Sequence, residues 1–515
     1  MKITIHPNFS AEKKYIIRVL MEVYLGLEYS LEFGEEHTYK ITLKNGNSLT
    51  FADDFFEHFS ETKNTPSRKT KEEVPPFRES KGAREEILQN LPTYLHQKNI
   101  PKRVRFLKSG FAPLDDIPVI FGNENVREVH PPAPSKGGDE RGVPSKEGDT
   151  NTKNTSVSPF GGGWGVDTRT IKCGIDVFAS SFFMLSRWEE LANPLRDAHE
   201  RFPVRASLAF KGNFLHRAVV NEYVELLWNM LTHLGVQQAR KPRNFSFLLT
   251  HDVDIPQLWR NALSPAKTML GDIFKRKNKA AIWQHFNFIK KKKDPFDTFD
   301  ELMDLSENQG LQSHFFFITG GNTRFDNNYE ISDFFIEKLI TRIHERGHEI
   351  GIHPSYDTYQ DAAMLSWEIE ALRQVSPQSV KTGRQHFLRF AVPHTWQAWE
   401  DNGMEWDSTM GYAGAVGFRC GTCYPFPVFN VLTRRELDLV ERPLLVMEVS
   451  LFSEAYMGLT QAEALVKVQE IVETVSRFEG EFVLLWHNSN LVLNGEDYWE
   501  TYKAVLAMKN NNEKT

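Results

Sequence analysis

The segment FSFLLTHDVDIP, residues 245–256, places three ionisable side chains at the end of an apolar run. The run is typical of a buried strand, and His251, Asp252 and Asp254 follow it directly. Because burial of an unpaired carboxylate is costly or shifts its pKa, such a cluster needs a cation, a proton partner or access to water. The alternative is a solvated turn, in which aspartate is common.

Other predicted strands also end in polar side chains. The candidate strands that follow are SHFFFIT (313–319), EIGIH (349–353), GRQHFLRF (383–390), LLVMEVSL (444–451) and FVLLWH (482–487). Helical patterns lie between them, and this alternation predicts a parallel sheet, open or closed into a barrel. Barrel enzymes place their chemistry at the C-terminal ends of strands, where this chain has the two aspartates, His353, Arg389 and His487. These strand ends therefore predict an active site.

The same residue types can bind a divalent metal ion and transfer protons. A carboxylate and an imidazole leave coordination positions for water and substrate, and Asp254 and His353 suit these roles. The proline after His353 favours the start of a helix, so Asp357, four residues on, is a candidate third ligand on the same face. Asp252 would accept a proton from water, and His487 would protonate the leaving group. The set predicts a metal-dependent hydrolase that acts by acyl transfer.

Five motifs occur in order between residues 244 and 490: LLTHDVD, RGHEIGIHPSYD, RQHFLRF, WDSTMGY and LLWHN. With them the chain resembles the polysaccharide deacetylases, carbohydrate esterases with the nodulation-factor deacetylase homology domain. The resemblance implies an α/β fold with a C-terminal distorted (β/α) barrel of the polysaccharide deacetylase type. It also implies a hydrolase of carbon–nitrogen bonds other than peptide bonds, or of esters, acting on an acetylated cell-surface polysaccharide or its precursor.

The resemblance assigns roles to individual residues. The first motif of the family supplies a base and a metal ligand, which correspond to Asp252 and Asp254, and the second motif supplies a ligand histidine, His353. The second ligand histidine of the family corresponds to Asp357. Two carboxylates would neutralise the formal charge of a divalent ion and weaken its effect on the acidity of water. Zn²⁺ is the metal ion that the resemblance implies.

Further positions follow from the later motifs. The arginine of the third motif corresponds to Arg384 or Arg389, and the late catalytic histidine corresponds to His487. Asp407 would hold one of the two arginines in place, or it would cap a turn with the two hydroxyl residues that follow it. His386 would form a structural pair with Arg384 on one face of a strand, or it would contact substrate.

Two other functions are compatible with these residues. Aspartate at position 357 suits a glycan-binding deacetylase homologue with impaired catalysis. A glycosyltransferase would use Asp-Val-Asp, residues 252–254, for a metal ion and a sugar nucleotide, but this function leaves His353 and His487 without a role. Metal content separates the first alternative from a hydrolase, and binding of a nucleotide sugar tests the second.

The chain has 515 residues, whereas a single core usually stops growing at about 250 to 300. We predict a small α/β N-terminal domain at 1–128, a disordered low-complexity insertion at 129–165, a helical bridging region at 166–243 and the catalytic domain at 244–508. Asn45-Gly46 is a hairpin signal in the first part. In the insertion, PSKGGD at 134 recurs as PSKEGD at 144. Asp176 is a predicted N-cap in the bridging region.

Charge and composition limit the partners. Lys and Arg number 61 and Asp and Glu 68, and the resulting net charge of −7 gives no drive toward nucleic acid. The N-terminus MKITIHPNFS lacks the apolar core of a signal peptide, and no run approaches the roughly 20 apolar residues of a membrane span. A cytoplasmic location is therefore expected. Three cysteines, two of them in a CGTC, are too few for a disulfide framework.

The basic segment FKRKNKAAIWQHFNFIKKKK, residues 274–293, has apolar and aromatic residues between its lysine clusters. Such a pattern is usual for a solvated helix face. The alternative is a peripheral membrane contact through residues 275–293, since amphipathic basic helices also lie on membrane surfaces. A polysaccharide or glycan precursor is the expected substrate, and the sequence predicts no oligomeric state.

Overall fold

The computed structural model describes residues 1–59, 93–129, 168–260, 263–271, 273, 279–326, 329–493 and 496–512. Within this part of the chain the molecule is a mixed α/β protein with two main β-sheets and two short strand pairs. In the same ranges no helix is long and apolar enough to cross a membrane. The insertion predicted at 129–165 lies, apart from its first residue, outside the described residues.

The first main sheet is built from the N-terminal part of the chain. The strands of this part are β1 (Lys2–Ile5), β2 (Ser30–Phe33), β3 (Thr38–Thr42), β4 (Ser48–Ala52), β5 (Arg105–Leu107), β6 (Ile117–Val119), β7 (Gly122–Val129) and β8 (Thr170–Ile175). Six of them form a mixed sheet in the order β2–β1–β3–β4–β8–β7, and β5 pairs with β6. The predicted hairpin is confirmed, because β3 and β4 are antiparallel and Gly46 between them has a φ of 86°.

The segment predicted as a helical bridging region begins with a strand. β8 pairs with β4 in parallel and with β7 in antiparallel, and its buried positions Ile171, Cys173 and Ile175 alternate with more exposed ones. This two-residue period is the strand signal that the sequence analysis missed. The helical pattern after it is confirmed, with Asp176 as N-cap: its carboxylate accepts a hydrogen bond from the amide of Ala179 at 2.9 Å.

The second main sheet carries the strands of the catalytic domain predicted at 244–508. Its strands are β9 (Ser246–Val253), β10 (Ser313–Phe317), β11 (Glu349–Ile352), β12 (Thr382–Gly383), β13 (Trp406–Asp407), β14 (Phe426–Asn430), β15 (Arg435–Glu441), β16 (Val446–Met447) and β17 (Glu481–Leu485). Their order is β14–β15–β13–β12–β11–β10–β9–β17–β16, and all except β14 run parallel. A separate pair is formed by β18 (Val492–Leu493) and β19 (Glu496–Asp497).

This sheet is not a closed barrel in the described residues. The antiparallel strand β14 occupies the edge of β15 that would face β16 in a closed ring. Two strands are much shorter than predicted. The predicted strand at 383–390 ends at Gly383, and further along Phe387 and Leu388 have φ values of 59° and 55°, outside the β region. The predicted strand at 444–451 ends at Met447, where a helix begins.

The helices cover the sheets and join the two parts of the molecule. They are α1 (Ser10–Ile17), α2 (Val177–Ser186), α3 (Trp188–Ala192), α4 (Leu208–Lys211), α5 (Val219–His233), α6 (Ser264–Gly271), α7 (Lys279–Lys291), α8 (Phe299–Asn308), α9 (Phe334–Glu345), α10 (Ala362–Val375), α11 (His394–Asp401), α12 (Glu448–Phe452), α13 (Gln461–Arg477) and α14 (Trp499–Asn512). Tyr15 of α1 donates a hydrogen bond to the carbonyl of Pro427 in β14, and the rings of Phe182 and Phe429 lie 5.4 Å apart. One hydrophobic core therefore extends from the first sheet to the second.

Candidate metal and catalytic site

Three side chains from three parallel strands of the second sheet form a group that could hold a metal ion. They are Asp254 after β9, His353 after β11 and His386 after β12, and their ligand atoms lie within 4.8 Å of one another. Asp254 Oδ1 is 3.3 Å from His353 Nε2 and 3.7 Å from His386 Nδ1. The parallel direction of the strands explains the cluster, because their C-terminal ends share one edge of the sheet.

The surroundings of His386 fit a metal ligand. Its side chain is buried, and within the described residues neither ring nitrogen has a hydrogen-bond partner. A buried polar group without a partner costs about 1–3 kcal/mol, and a metal ion would supply the missing interaction. Burial lowers the pKa of His386 to about 4, although the charge of Asp254 opposes the shift. The ring is therefore neutral at pH 7, the form that binds metals.

The ring of His353 is oriented for the same purpose. Its Nδ1 donates a hydrogen bond to the carbonyl oxygen of Arg384 at 2.6 Å, and this contact turns Nε2 toward Asp254. Burial alone would lower the pKa of His353, but the carboxylates of Asp252 and Asp254 outweigh it and raise the pKa. Burial would raise the pKa of Asp254, yet the neighbouring histidines hold it below the usual range. Asp254 is thus ionised and able to bind a cation.

Asp357, the predicted third ligand, does not reach this cluster. The prediction assumed that a helix begins after His353, but residues 354–357 are not helical and the next helical turn is Thr358–Gln360. Without a helix, the four-residue spacing does not bring the side chains of His353 and Asp357 onto the same face. The Asp357 side chain is 53% exposed, and its carboxylate pairs with Arg389 at 2.8 Å. In the described residues His386, rather than Asp357, joins Asp254 and His353 in the group that could hold a metal ion.

Asp252 lies beside the cluster and is fixed by Arg384. Asp252 Oδ1 accepts a hydrogen bond from Arg384 Nη1 at 2.9 Å, and its Oδ2 is 3.5 Å from His353 Nε2. The buried guanidinium also donates to the carbonyl and the hydroxyl of Ser408, at 2.7 and 3.0 Å, and to Thr250. Of the two candidate arginines, Arg384 is thus the one that contacts the predicted base.

Arg389 holds the loop that follows β11. Its guanidinium lies over the rings of Tyr356 and Tyr359, 3.7 and 4.1 Å from their centroids, and it donates to the carbonyl of Tyr356. It also donates to the carbonyl of His199 at 2.9 Å, a residue outside the five motifs. Arg389 therefore positions the loop beside the site, whereas Arg384 positions Asp252.

Asp407 contacts a hydroxyl of its own turn, as one of the two predicted alternatives stated. Its Oδ1 accepts a hydrogen bond from Thr409 Oγ1 at 2.5 Å, and Thr409 accepts one from the amide of Gln385. Burial raises the pKa of Asp407 to about 6. The same cause raises the pKa of Glu441, its cross-strand neighbour in β15, far above normal. Asp407 therefore supports the backbone next to Arg384 without bonding to the guanidinium.

His487 reaches the cluster from β17 and is held by an acidic residue that the sequence analysis did not identify. Its Nε2 is 3.5 Å from Asp254 Oδ2, and its Nδ1 is 2.5 Å from Glu448 Oε1. Burial alone would lower the pKa of His487, but Glu448 outweighs it, with help from Asp254 and Asp252, and raises the pKa to about 10. The imidazole is therefore a cation at pH 7 and can donate a proton from Nε2.

Two nearby histidines have structural partners. His251 Nδ1 lies 2.7 Å from the carbonyl of Trp486, its Nε2 lies 3.2 Å from Ser313 Oγ, and burial lowers its pKa to about 4. His348 Nδ1 accepts a hydrogen bond from the amide of Ser313. Both rings therefore join neighbouring strands below the site. Of the three ionisable residues at the end of β9, only the two aspartates face the cluster.

A strained turn and a cavity border the site. Phe387 and Leu388 directly follow the candidate ligand His386 in the left-handed region, which non-glycine residues rarely adopt. Arg201 donates a hydrogen bond to the carbonyl of Phe387 at 3.1 Å. Leu388 also lines a cavity of about 330 Å³, together with residues 201–205. A segment outside the five motifs thus lines the same cavity as Leu388, which lies two residues after His386.

The fold and the site define a mixed α/β protein with an Asp-His-His group able to hold a metal ion at one edge of a parallel sheet. A family model described as "Family of unknown function (DUF7033)" matches residues 1–235. The chain is also similar to the solved structure of a "putative polysaccharide deacetylase from Mycobacterium smegmatis", with 18% sequence identity and a TM-score of 0.35. That match covers 52% of this chain and 84% of the other chain. No curated protein matches the sequence.

Proposed function

We propose that the protein is a metal-dependent deacetylase that hydrolyses an amide or ester bond of an acetylated cell-surface polysaccharide or its precursor. One observation carries the proposal: Asp254, His353 and His386 form a group that could hold a metal ion, and Asp252 and His487 each lie 3.5 Å from one of its members. A candidate proton acceptor and a candidate proton donor thus adjoin the same cluster. The ordered motifs supply the acetylated glycan as the substrate class.

One aspartate and two histidines suit zinc better than the two aspartates and one histidine expected from the sequence. One carboxylate and two imidazoles leave a divalent ion with a net positive charge, whereas a second carboxylate would neutralise it. Three protein ligands with open coordination positions are also typical of catalytic zinc sites. When bound, such an ion supplies a Lewis acid that polarises a carbonyl and acidifies water.

The residues of the chain would divide the proton transfers between them. Arg384 holds Asp252 through Oδ1, so Oδ2 faces the cluster and accepts the proton of the attacking water. His487 is protonated at neutral pH and donates from Nε2 to the departing nitrogen or oxygen. Glu448 keeps the ring in place through Nδ1. Each proton transfer therefore has one residue that performs it and one that positions that residue.

The two alternatives from the sequence have less support. The glycan-binding homologue rested on the loss of a ligand histidine at position 357, but His386 supplies a second imidazole to the group. A glycosyltransferase that uses both aspartates of Asp-Val-Asp for its metal ion would need Asp252 free of Arg384, with which it forms a buried pair. The hydrolase gives a role to each side chain near the cluster.

The N-terminal part of the chain would shape the substrate cleft. His199 Nδ1 is 2.9 Å from the hydroxyl of Tyr356, and Arg201 contacts the carbonyl of Phe387. These contacts place side chains from outside the five motifs next to the turn that follows His386. A cytoplasmic location stays a prediction from the sequence.

Acetate release from a panel of N- and O-acetylated glycans tests the function. We expect the wild type to release acetate and Asp252→Asn to lose about 100-fold or more of the rate, the usual contribution of a general base. His487→Ala should impair amide substrates more than activated aryl esters, whose leaving groups need no proton. If the wild type binds acetylated glycans tightly but releases no acetate, the glycan-binding alternative is correct instead. If Asp252→Asn hydrolyses amides at the wild-type rate, Asp252 is not the base.

A further inference from the structure

Exposed large apolar side chains are concentrated in one short part of the molecule. Of the thirteen in the described residues, six lie between positions 263 and 289: Leu263, Leu270, Ile273, Trp283, Phe286 and Ile289. The side chains of Leu263 and Trp283 are 79% and 70% exposed. Isolated exposed apolar residues are normal on a protein surface, but a contiguous group of large ones marks an interaction site.

Helix α7 presents apolar and basic residues together. Trp283 and Phe286 are three residues apart and share a face, whereas Ala281 is buried. The described segment 279–293 contains five lysines and no acidic residue. Lys293 pairs with Glu301, but no carboxylate of the described residues pairs with the exposed Lys290, Lys291 or Lys292. In the described residues this surface therefore combines exposed aromatic rings with three lysines that form no ion pair, although the chain as a whole is negative.

The described residues just before α6 and just after α7 are fixed beside the candidate site. Asp294 accepts hydrogen bonds from the amides of Leu258 and Trp259 at 2.9 and 2.7 Å. These bonds join the residues before α6 to those after α7. Asn488, the residue after His487, donates to the carbonyls of Ile255 and Phe296 at 3.0 and 2.8 Å. Helices α6 and α7 are thus attached at the same edge of the sheet as the metal group.

We propose that α6 and α7, with the residues between positions 263 and 292 that the structure describes, dock on the surface of an anionic lipid bilayer. Aromatic and aliphatic side chains enter the interfacial region of a bilayer, and lysines beside them are attracted to anionic headgroups. A second copy of the chain fits less well, because a two-fold contact would bring the same lysines against each other. The docking does not depend on catalysis at the metal site. That it brings the site to lipid-carried glycans rests on the proposed function.

Co-sedimentation of the full chain with lipid vesicles tests the docking. The probes are vesicles of phosphatidylcholine alone and of phosphatidylcholine with phosphatidylglycerol. The test variant is Trp283→Ser/Phe286→Ser, and the matched control is Phe334→Ser/Trp367→Ser, whose two rings are 70% and 62% exposed elsewhere on the molecule. We expect binding to the anionic vesicles, weakened by salt and reduced at least about tenfold in the test variant but unchanged in the control.

The outcomes separate the candidate partners. All four substituted side chains are exposed, so each variant should keep the thermal unfolding midpoint of the wild type, and this is measured first. Absence of vesicle binding by the wild type, or an equal loss in both double variants, overturns the proposal. If the wild type binds no vesicles and the test variant alone converts a dimer to a monomer in sedimentation velocity, the face is a contact between two copies.

Discussion

The charge of Glu448 should keep His487 protonated, and Glu448→Gln removes that charge while leaving an acceptor for the ring. Glu448 Oε1 lies 2.5 Å from His487 Nδ1. Burial alone would lower the pKa of His487, and among the groups that oppose burial Glu448 has the largest effect on the value of about 10. One opposite charge at such a distance shifts a pKa by about 1–3 units, so we expect the pKa to fall by about two units in the variant.

The same shift predicts a pH-dependent loss of stability. Histidine in an unfolded chain has a pKa of about 6.5, below the folded value of about 10 for His487. The stabilisation is therefore complete below about pH 6.5 and is lost as the pH rises through the folded pKa. Two units correspond to about 2.7 kcal/mol, so the free energy of unfolding should fall by roughly 2–3 kcal/mol at about pH 6, with little difference above about pH 10.

Two assays check this prediction on the metal-free chain. An NMR titration follows the His487 ring, assigned by comparison with His487→Ala, and urea unfolding at several pH values follows stability. Asn490→Ala is the control, because it removes a neutral 2.7 Å hydrogen bond to the same carboxylate and leaves the charge in place. A variant pKa within a few tenths of a unit of the wild-type value, or a stability difference that does not change with pH, would refute the reasoning.

Two further changes test the residues that position the site. Arg384→Ala should lower the free energy of unfolding by about 3–5 kcal/mol, because it leaves Asp252 buried without its cation. Urea unfolding of the double variant with Asp252→Ala should recover part of that loss, and strictly additive losses would show that the pair is not coupled. Asp407→Asn should stabilise the protein by up to about 3 kcal/mol at about pH 8, because burial raises the pKa of Asp407 to about 6 and its ionisation then opposes folding. Thermal unfolding should show this gain shrinking toward about pH 4, and a gain independent of pH would contradict the cause.

The sequence predicted the parts of the site that strand ends supply. Asp252, Asp254, His353 and His487 each follow a buried run, and such runs become parallel strands whose ends meet. Local pattern was enough here because the strands are mainly apolar and these polar residues lie at, or just after, their C-terminal ends. The same pattern predicted the parallel sheet. It could not show that the antiparallel strand β14 occupies the edge of β15, so that the sheet does not close into a barrel in the described residues.

The residues that the sequence misassigned depend on backbone turns. His386 was placed in a strand, but Phe387 and Leu388 adopt positive φ values that their residue types do not indicate. Asp357 was assigned through a helix that begins only at Thr358. Glu448 was hidden in the predicted strand 444–451, which the structure ends at Met447. In each case tertiary contacts override the local conformational preference. Such contacts cannot be read from a local sequence pattern.

The metal content of the purified full chain tests the central claim most directly. Wild type, His386→Ala and Asp357→Ala are purified with zinc present, desalted and analysed by inductively coupled plasma mass spectrometry, with cooperative unfolding as the control for folding. We predict roughly one ion per chain in the wild type and in Asp357→Ala, and well below half an ion in His386→Ala, because the metal group contains His386 and not Asp357. Stoichiometric metal in His386→Ala, or its loss in Asp357→Ala, would contradict the proposed centre.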